Sequence, residues 1–238
     1  MAMAGKKLQE AVHVSIGEVS LEGNLVIPER SEAIVLFAHG SGSSRLSPRN
    51  RYVASVLQDA GLSTLLIDLL TVAEERVDSY TMHLRFDIRL LAQRLSGATD
   101  WIRNNPATRN LNAGYFGAST GAAAALVAST AHPKVINAIV SRGGRPDLAG
   151  SSLPKVRAPT LMIVGGDDTE VIDLNKQARQ RMQAETELLI VPGATHLFEE
   201  PGTLEQVAKA ASDWFAKYLT RRGAERSTKS GTSSLNYS

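Results

Sequence analysis

Hydrophobic residues alternate with polar ones near the start of the chain and then recur in short unbroken runs. The alternating stretches, residues 12–16 and 21–27, are separated by a turn that begins at Gly17, which favours an antiparallel hairpin. Unbroken apolar runs are typical of strands that are covered on both faces of a sheet. The predicted strands of this second kind are residues 33–38, 63–68, 113–116, 134–141, 159–164 and 187–191.

Segments with apolar residues three or four positions apart separate these runs and predict helices. The predicted helices are residues 50–60, 84–102, 121–127, 174–182 and 204–219, whereas residues 69–81 are predicted to be an irregular, charged connection. Alternation of strands and helices predicts an α/β fold, a mostly parallel twisted sheet with helices on both faces and the antiparallel hairpin at its start. Only a minimal lid fits in the short segment 144–159.

Composition narrows the class of protein without changing this picture. The 238 residues are 43% hydrophobic and carry a formal net charge of +2, which predicts one domain over residues 1–220 and no electrostatic footprint for nucleic acid. Residues 221–238 are charged and rich in Ser and Thr, so we predict a disordered tail. There is no Cys, no apolar leader and no membrane-length apolar run, so we expect a cytoplasmic protein without thiolate metal ligands.

The sequence Gly117-Ala118-Ser119-Thr120-Gly121 lies between a predicted strand and a predicted helix. A G-x-S-x-G turn in this setting exposes the serine hydroxyl on a strained backbone, although the motif alone also occurs by chance. A serine nucleophile needs a base, and the base needs an orienting group. His196, just past the last predicted strand, is the predicted base.

The predicted acid is Asp168, with Asp167 as the alternative, because both follow the strand that ends at Val164. Whichever is not catalytic would cap the next helix. Backbone N–H groups of Ser41 and Thr120 are the predicted oxyanion hole, since one follows an earlier strand and the other follows Ser119. All these residues follow strand ends, where open α/β sheets bind ligands.

The G-A-S-T-G, H-G-S-G, G-G-D-D and G-A-T-H motifs together resemble the α/β-hydrolase superfamily, over about residues 34–219. The short chain and small lid resemble the dienelactone hydrolase group, some of whose bacterial members are fused to phosphoribosyltransferase domains. Dienelactone hydrolases proper have Cys at the elbow, whereas this chain has Ser119. The resemblance therefore implies an ester-type hydrolase rather than an enzyme for dienelactone itself.

We therefore predict a serine hydrolase that cleaves small carboxylic esters or lactones and needs no metal or organic cofactor. A thioesterase or acyltransferase with the same triad, and a non-catalytic receptor or scaffold of this fold, are the alternatives. His39, Arg45 and Arg142 are candidate substrate-binding residues at the mouth of the site. The arginines either receive an acidic substrate group or form local salt bridges. The sequence does not indicate an oligomeric state.

Overall fold

The strands form one eight-stranded sheet. The computed structural model describes residues 7–220; the predicted tail, residues 221–238, lies outside this range. The strands are β1 (Lys7–Ile16), β2 (Val19–Pro28), β3 (Ala33–Ala38), β4 (Ser63–Ile67), β5 (Asn112–Ala118), β6 (Ile136–Arg142), β7 (Thr160–Gly165) and β8 (Thr186–Val191). Their order in the sheet is β1-β2-β4-β3-β5-β6-β7-β8.

The predicted fold class, an α/β sheet that is parallel apart from an initial hairpin, is confirmed. β1 pairs antiparallel with β2 up to the Ile16–Val19 pair, and Gly17 takes the positive φ of 59° that this tight turn requires. β2 pairs antiparallel with β4, and the remaining neighbours are parallel. Every residue of β3 is buried, because helices cover both faces of the sheet, which is why this strand reads as an unbroken apolar run.

Helices cover the sheet on two sides and create two apolar layers. The helices are α1 (Pro48–Asp59), α2 (Val72–Thr81), α3 (Ile88–Asn104), α4 (Thr120–Ser129), α5 (Thr169–Arg181) and α6 (Thr203–Leu219), with 3-10 segments at Leu84–Phe86 and Pro146–Lys155. α3, α4 and the 3-10 segment Pro146–Lys155 pack on one side, while α1 and α6 pack on the other. None of the helices in the described range is both long and apolar enough to cross a bilayer.

The prediction of an irregular connection over residues 69–81 was wrong, because α2 occupies most of it. Its polarity is inverted: Val77 and Tyr80 are exposed, whereas Asp78 is fully buried and pairs with Arg85 at 2.5 Å. An apolar stripe is therefore absent from this helix. A different signal in the sequence marks its start, since Thr71 and Glu74 form a capping box.

Candidate functional site

The elbow predicted at Ser119 lies between β5 and α4 and has the strained backbone that such a turn requires. Ser119 has φ 49° and ψ −119°, and its side chain does not cap the helix, so the hydroxyl is left for other use. A Cβ on Gly121 would lie 2.2 Å from the Ala38 carbonyl oxygen, and one on Gly117 would lie 2.5 Å from Ala122 Cα. Only glycine permits this close approach of strand and helix.

The turn that follows β6 joins the elbow to the predicted base. The Ser119 N–H donates to the Arg142 carbonyl at 3.1 Å, and the Arg145 N–H donates to the Ser119 carbonyl at 3.2 Å. Between them, a Cβ placed on Gly143 would lie 3.5 Å from Cε1 of His196. The imidazole therefore lies against the same short turn that holds the backbone of Ser119 on both sides.

His196 and Asp168 are in direct contact. His196 Nδ1 donates to Asp168 Oδ2 at 2.6 Å, and the Asp168 side chain is 16% exposed. Asp168 is the N-cap residue of α5, but its carboxylate does not cap the helix. Asp167 is exposed, and its N–H donates to the Ala194 carbonyl. The geometry thus favours Asp168 over Asp167 as the partner of the imidazole, and leaves Nε2 of a neutral His196 as an acceptor.

Residues that sequence reasoning missed hold the His196 loop and the turn after β6 in place. The N–H and hydroxyl of Thr195 donate to Glu200 at 3.1 and 2.6 Å. Phe198 is buried at a positive φ of 55° and packs in the layer with α1 and α6. Asn175 on α5 donates to the Gly144 carbonyl at 3.0 Å. No sequence motif marks these residues: Thr195 and Glu200 meet within one irregular loop, Phe198 depends on an unusual backbone angle, and Asn175 meets a segment that is distant along the chain.

The two predicted oxyanion donors meet, but not in the predicted way. The Ser41 N–H donates to Oγ1 of Thr120 at 2.9 Å, so this amide already has an acceptor within the protein. The Thr120 N–H, at the first position of α4, has no acceptor among residues 7–220. The Ser41 amide is therefore not free to hold an oxyanion as predicted, because it already donates to the Thr120 side chain.

His39 has both ring nitrogens engaged by the backbone. Nε2 accepts the Leu69 N–H at 3.0 Å, so Nδ1 carries the proton and donates to the Gly40 carbonyl at 2.9 Å. Burial lowers the pKa of His39, which favours the neutral ring. No ring nitrogen is left for a ligand, which argues against the predicted substrate contact and in favour of a role in shaping the turn.

The two candidate substrate-binding arginines have opposite surroundings. Arg45 pairs with Asp68 and, at 2.5 Å, with Glu22, so the protein itself neutralises its charge. Arg142 is 7% exposed, and its Nε and Nη1 are buried without any partner in the described part of the chain. Its guanidinium lies 5.9 Å from the ring centre of Phe198. Burial, reinforced by the charge of Arg49, lowers the pKa of Arg142 to about 10.

A cavity of about 720 Å³ lies between the loop after β3 and helix α2. Ser119 and His196 do not line it; one of its lining residues, His39, precedes Gly40, where a Cβ would lie 3.1 Å from Ser119 Cβ. Arg49, at the start of α1, lines the cavity and pairs with Glu199 of the His196 loop at 2.7 Å. Across residues 7–220, His, Asp and Glu side chains form no group of three that could hold a metal ion.

Comparison with known proteins agrees with this arrangement. The profile of the Dienelactone hydrolase family matches residues 21–220. The crystal structure of dienelactone hydrolase from Anabaena variabilis is 63% identical, with a TM-score of 0.89 over 90% of this chain and 99% of that one. A dienelactone hydrolase-like promiscuous phosphotriesterase from metagenomic libraries is 20% identical, with a TM-score of 0.73 over 91% of this chain and all of that one, and shares the fold.

A longer protein of Mycobacterium tuberculosis, named "Putative phosphoribosyl transferase", is 58% identical over 215 residues. The match covers 90% of this chain but 47% of that protein. This chain therefore spans about half the length of the curated relative that it matches.

Proposed function

Because the chain belongs to the dienelactone hydrolase family, we propose that it is a serine hydrolase that cleaves small carboxylic esters or lactones through an acyl-enzyme. The observation that carries this proposal is the 2.6 Å contact of His196 with Asp168, with the imidazole against the turn that binds Ser119. An orienting carboxylate, a base and a strained serine are the parts that nucleophilic acyl transfer needs.

In the first half of the reaction, Ser119 Oγ attacks the ester carbonyl carbon while His196 Nε2 takes the hydroxyl proton. A bond forms between Oγ and carbon, and the carbonyl electron pair moves onto oxygen. When that pair returns, the carbon–alkoxide bond breaks and His196 delivers its proton to the leaving alcohol. Asp168 keeps the proton of Nδ1 in place and stabilises the imidazolium that forms in between.

In the second half, water replaces the alcohol. His196 removes one proton from the water while the water oxygen attacks the carbonyl carbon of the acyl-enzyme. It then returns that proton to Ser119 Oγ as the bond between Oγ and the carbonyl carbon breaks. The net reaction converts ester and water into acid and alcohol. The groups named here are sufficient for this cycle, so the proposal requires no metal or organic cofactor.

Acyl transfer to another acceptor is the main alternative within this chemistry, because only the second half-reaction differs. A thioesterase or acyltransferase would use the same three side chains. Product analysis with added alcohols separates the two: transfer in proportion to alcohol concentration indicates acyltransfer, and acid as the sole product indicates hydrolysis. The name of the M. tuberculosis relative describes a protein about twice as long and does not by itself bring a transferase activity to this chain.

Arg142 supports a narrower proposal for the substrate: an ester that carries a carboxylate or a similar anion. A buried guanidinium without a partner costs several kcal/mol, and a bound anion would offset that cost. Arg142 ends the strand next to β5, and its guanidinium lies 5.9 Å from the ring centre of Phe198, two residues after His196; these contacts favour an anion site near the proposed triad. Arg45 does not offer the same site, because Asp68 and Glu22 already occupy it.

The substrate proposal is tested with matched pairs of esters. Monoethyl succinate places an anion on the acyl part and O-acetyl glycolate places it on the alcohol part; ethyl 4-methylpentanoate and isobutyl acetate are the neutral analogues of similar shape. We expect Arg142→Met to lower kcat/KM for at least one anionic ester by about 10- to 100-fold, a loss typical of one charge-assisted contact, while its neutral analogue changes little. Equal effects on charged and neutral esters would remove Arg142 from the substrate site.

The nucleophile is tested by the hydrolysis of 4-nitrophenyl acetate. Ser119→Ala removes the attacking oxygen, so we expect kcat to fall by a factor on the order of 10⁶, as in serine hydrolases that lose their nucleophile. The neighbouring Ser43, in the loop after β3, provides a matched Ser→Ala control that leaves the elbow intact. Full activity in Ser119→Ala would exclude the proposed mechanism.

A further inference from the structure

The side chain of Thr120, the residue after the proposed nucleophile, contacts one of the two predicted oxyanion donors, whereas the prediction involved only the backbone of Thr120. Thr120 is 3% exposed, and its Oγ1 accepts the Ser41 N–H at 2.9 Å. The N–H of the same residue starts α4 and has no acceptor in the described range. Both hydrogen-bonding groups belong to the residue directly after Ser119, and in this kind of elbow the N–H of that residue faces the oxygen on which negative charge develops.

The proton of the Thr120 hydroxyl is unused. A hydroxyl can accept from two donors and can donate its own proton once. Oγ1 uses one of its acceptor positions for Ser41, and its proton has no acceptor among residues 7–220. Leaving a buried hydroxyl proton unpaired costs free energy, and the pairing is restored if a ligand oxygen accepts it.

The Ser41 amide is held in its present direction by the rest of its peptide group. The carbonyl of that peptide belongs to Gly40 and accepts from His39 Nδ1 at 2.9 Å, while His39 Nε2 is fixed by the Leu69 N–H. A Cβ on Gly40 would lie 3.1 Å from both the Ala118 carbonyl oxygen and Ser119 Cβ, so the peptide is also confined by the elbow. Rotation of the Ser41 N–H away from Thr120 would break the contact with His39.

We propose that the Thr120 hydroxyl is itself an oxyanion-hole donor, together with the Thr120 N–H, and that Ser41 acts through it. Donation by Ser41 into Oγ1 polarises the Thr120 O–H bond and strengthens it as a donor, as in other hydrogen-bonded chains. The proton stays on Thr120 throughout; it stabilises the negative oxygen that forms when Ser119 Oγ bonds to the carbonyl carbon. Ser41 and His39 are then positioning residues. This inference rests on the proposed hydrolase function.

The experiment compares Thr120→Val with Thr120→Ser, since valine keeps the shape of the side chain and serine keeps the hydroxyl. We expect Thr120→Val to lower kcat by a factor on the order of 100, the effect of losing one oxyanion donor, with KM changed by less than about threefold. Thr120→Ser is expected to recover most of that loss. If the hydroxyl only blocks the Ser41 amide, Thr120→Val would have unchanged or higher kcat, and the proposal would be overturned.

A second measurement separates a catalytic role from a structural one. A boronic acid that forms a tetrahedral adduct reports the oxyanion contact, whereas inhibition by acetate reports ground-state binding. We expect Thr120→Val to weaken the boronic acid in proportion to its loss of kcat/KM and to leave acetate inhibition unchanged. Equal weakening of both ligands would assign Thr120 a structural role and contradict the proposal.

The same assay distinguishes failure of this inference from failure of the proposed function. If the wild-type protein is active, and Ser119→Ala abolishes this activity whereas Thr120→Val does not, the proposed hydrolase mechanism stands and only the assignment of the Thr120 hydroxyl as an oxyanion donor fails. Activity that survives in Ser119→Ala would overturn the hydrolase mechanism, and the Thr120 proposal with it.

Discussion

Arg45 follows β3 and Arg142 ends β6, on the two sides of β5 in the sheet, yet the surroundings of their charges are opposite. Arg45 lies between the carboxylates of Asp68 and Glu22, and its own N–H also donates to Asp68 at 2.6 Å. Arg142 is more deeply buried, and no carboxylate of residues 7–220 pairs with it; besides burial, the charge that lowers its pKa is that of another cation, Arg49.

This difference separates a charge that stabilises the fold from a charge that is available to a ligand. A paired, partly exposed arginine ties two loops together, whereas a buried unpaired one lowers the stability of the folded protein. Sites that bind or react often retain such costs, because the compensating contact arrives with the substrate. The Asp168 carboxylate is also paired within the protein, but its partner, His196, is a reacting group in the proposed mechanism.

Among substitutions of these charged residues, the largest effect is expected where a paired charge serves catalysis. Asp168→Asn retains the shape of the acid but favours the wrong tautomer of His196, so we expect kcat for 4-nitrophenyl acetate to fall by about 10⁴-fold. Asp167→Asn is the matched control, because Asp167 is exposed and does not contact the imidazole. A large loss in Asp167→Asn with a small one in Asp168→Asn would reverse the assignment of the acid.

An intermediate effect is expected on stability at the unpaired arginine. Arg142→Met replaces a buried, unpartnered cation with an apolar side chain, so we expect the free energy of unfolding in urea to rise by about 1–4 kcal/mol. Arg103→Met, at an exposed position near the end of α3, is the control and is expected to change stability by less than about 0.5 kcal/mol. Destabilisation by Arg142→Met would show that the guanidinium has a favourable structural role.

The smallest effect is expected at the paired arginine. Arg45→Met leaves the partly buried Asp68 carboxylate without its cation, so we expect the free energy of unfolding to fall by about 1–3 kcal/mol; the half-exposed Glu22 contributes little of this. The preference between charged and neutral esters is expected to stay as in the wild type. A selective loss of activity on anionic esters in Arg45→Met would erase the contrast between the two arginines.

Local patterns in the sequence were sufficient for the sheet and for the elbow, since both depend on neighbouring residues. Unbroken apolar runs mark the buried strands, and Gly117 and Gly121 mark the close approach around Ser119. The pairing of Asp168 with His196 was predictable as well, because each residue follows the carboxyl end of a parallel strand and such ends meet at one edge of the sheet.

The features that sequence reasoning missed depend on long-range partners. α2 buries a carboxylate, Asp78, and exposes apolar residues, so its periodicity is the reverse of an ordinary surface helix. The Ser41 amide meets a hydroxyl 79 residues away, and the acceptors that neutralise Arg45 lie in other loops and strands. Nothing in the immediate sequence of Arg45 or Arg142 tells which one is left without a partner.

The most direct test of the central claim is the mass of the intact protein after reaction with a fluorophosphonate, followed by peptide mapping. An activated serine attacks the phosphorus and displaces fluoride, so we predict one adduct per chain, located on Ser119, and no adduct in Ser119→Ala. Asp168→Asn is expected to react much more slowly. An unlabelled wild-type protein, or an adduct on a residue other than Ser119, would contradict the account and favour a non-catalytic hydrolase fold or a different nucleophile.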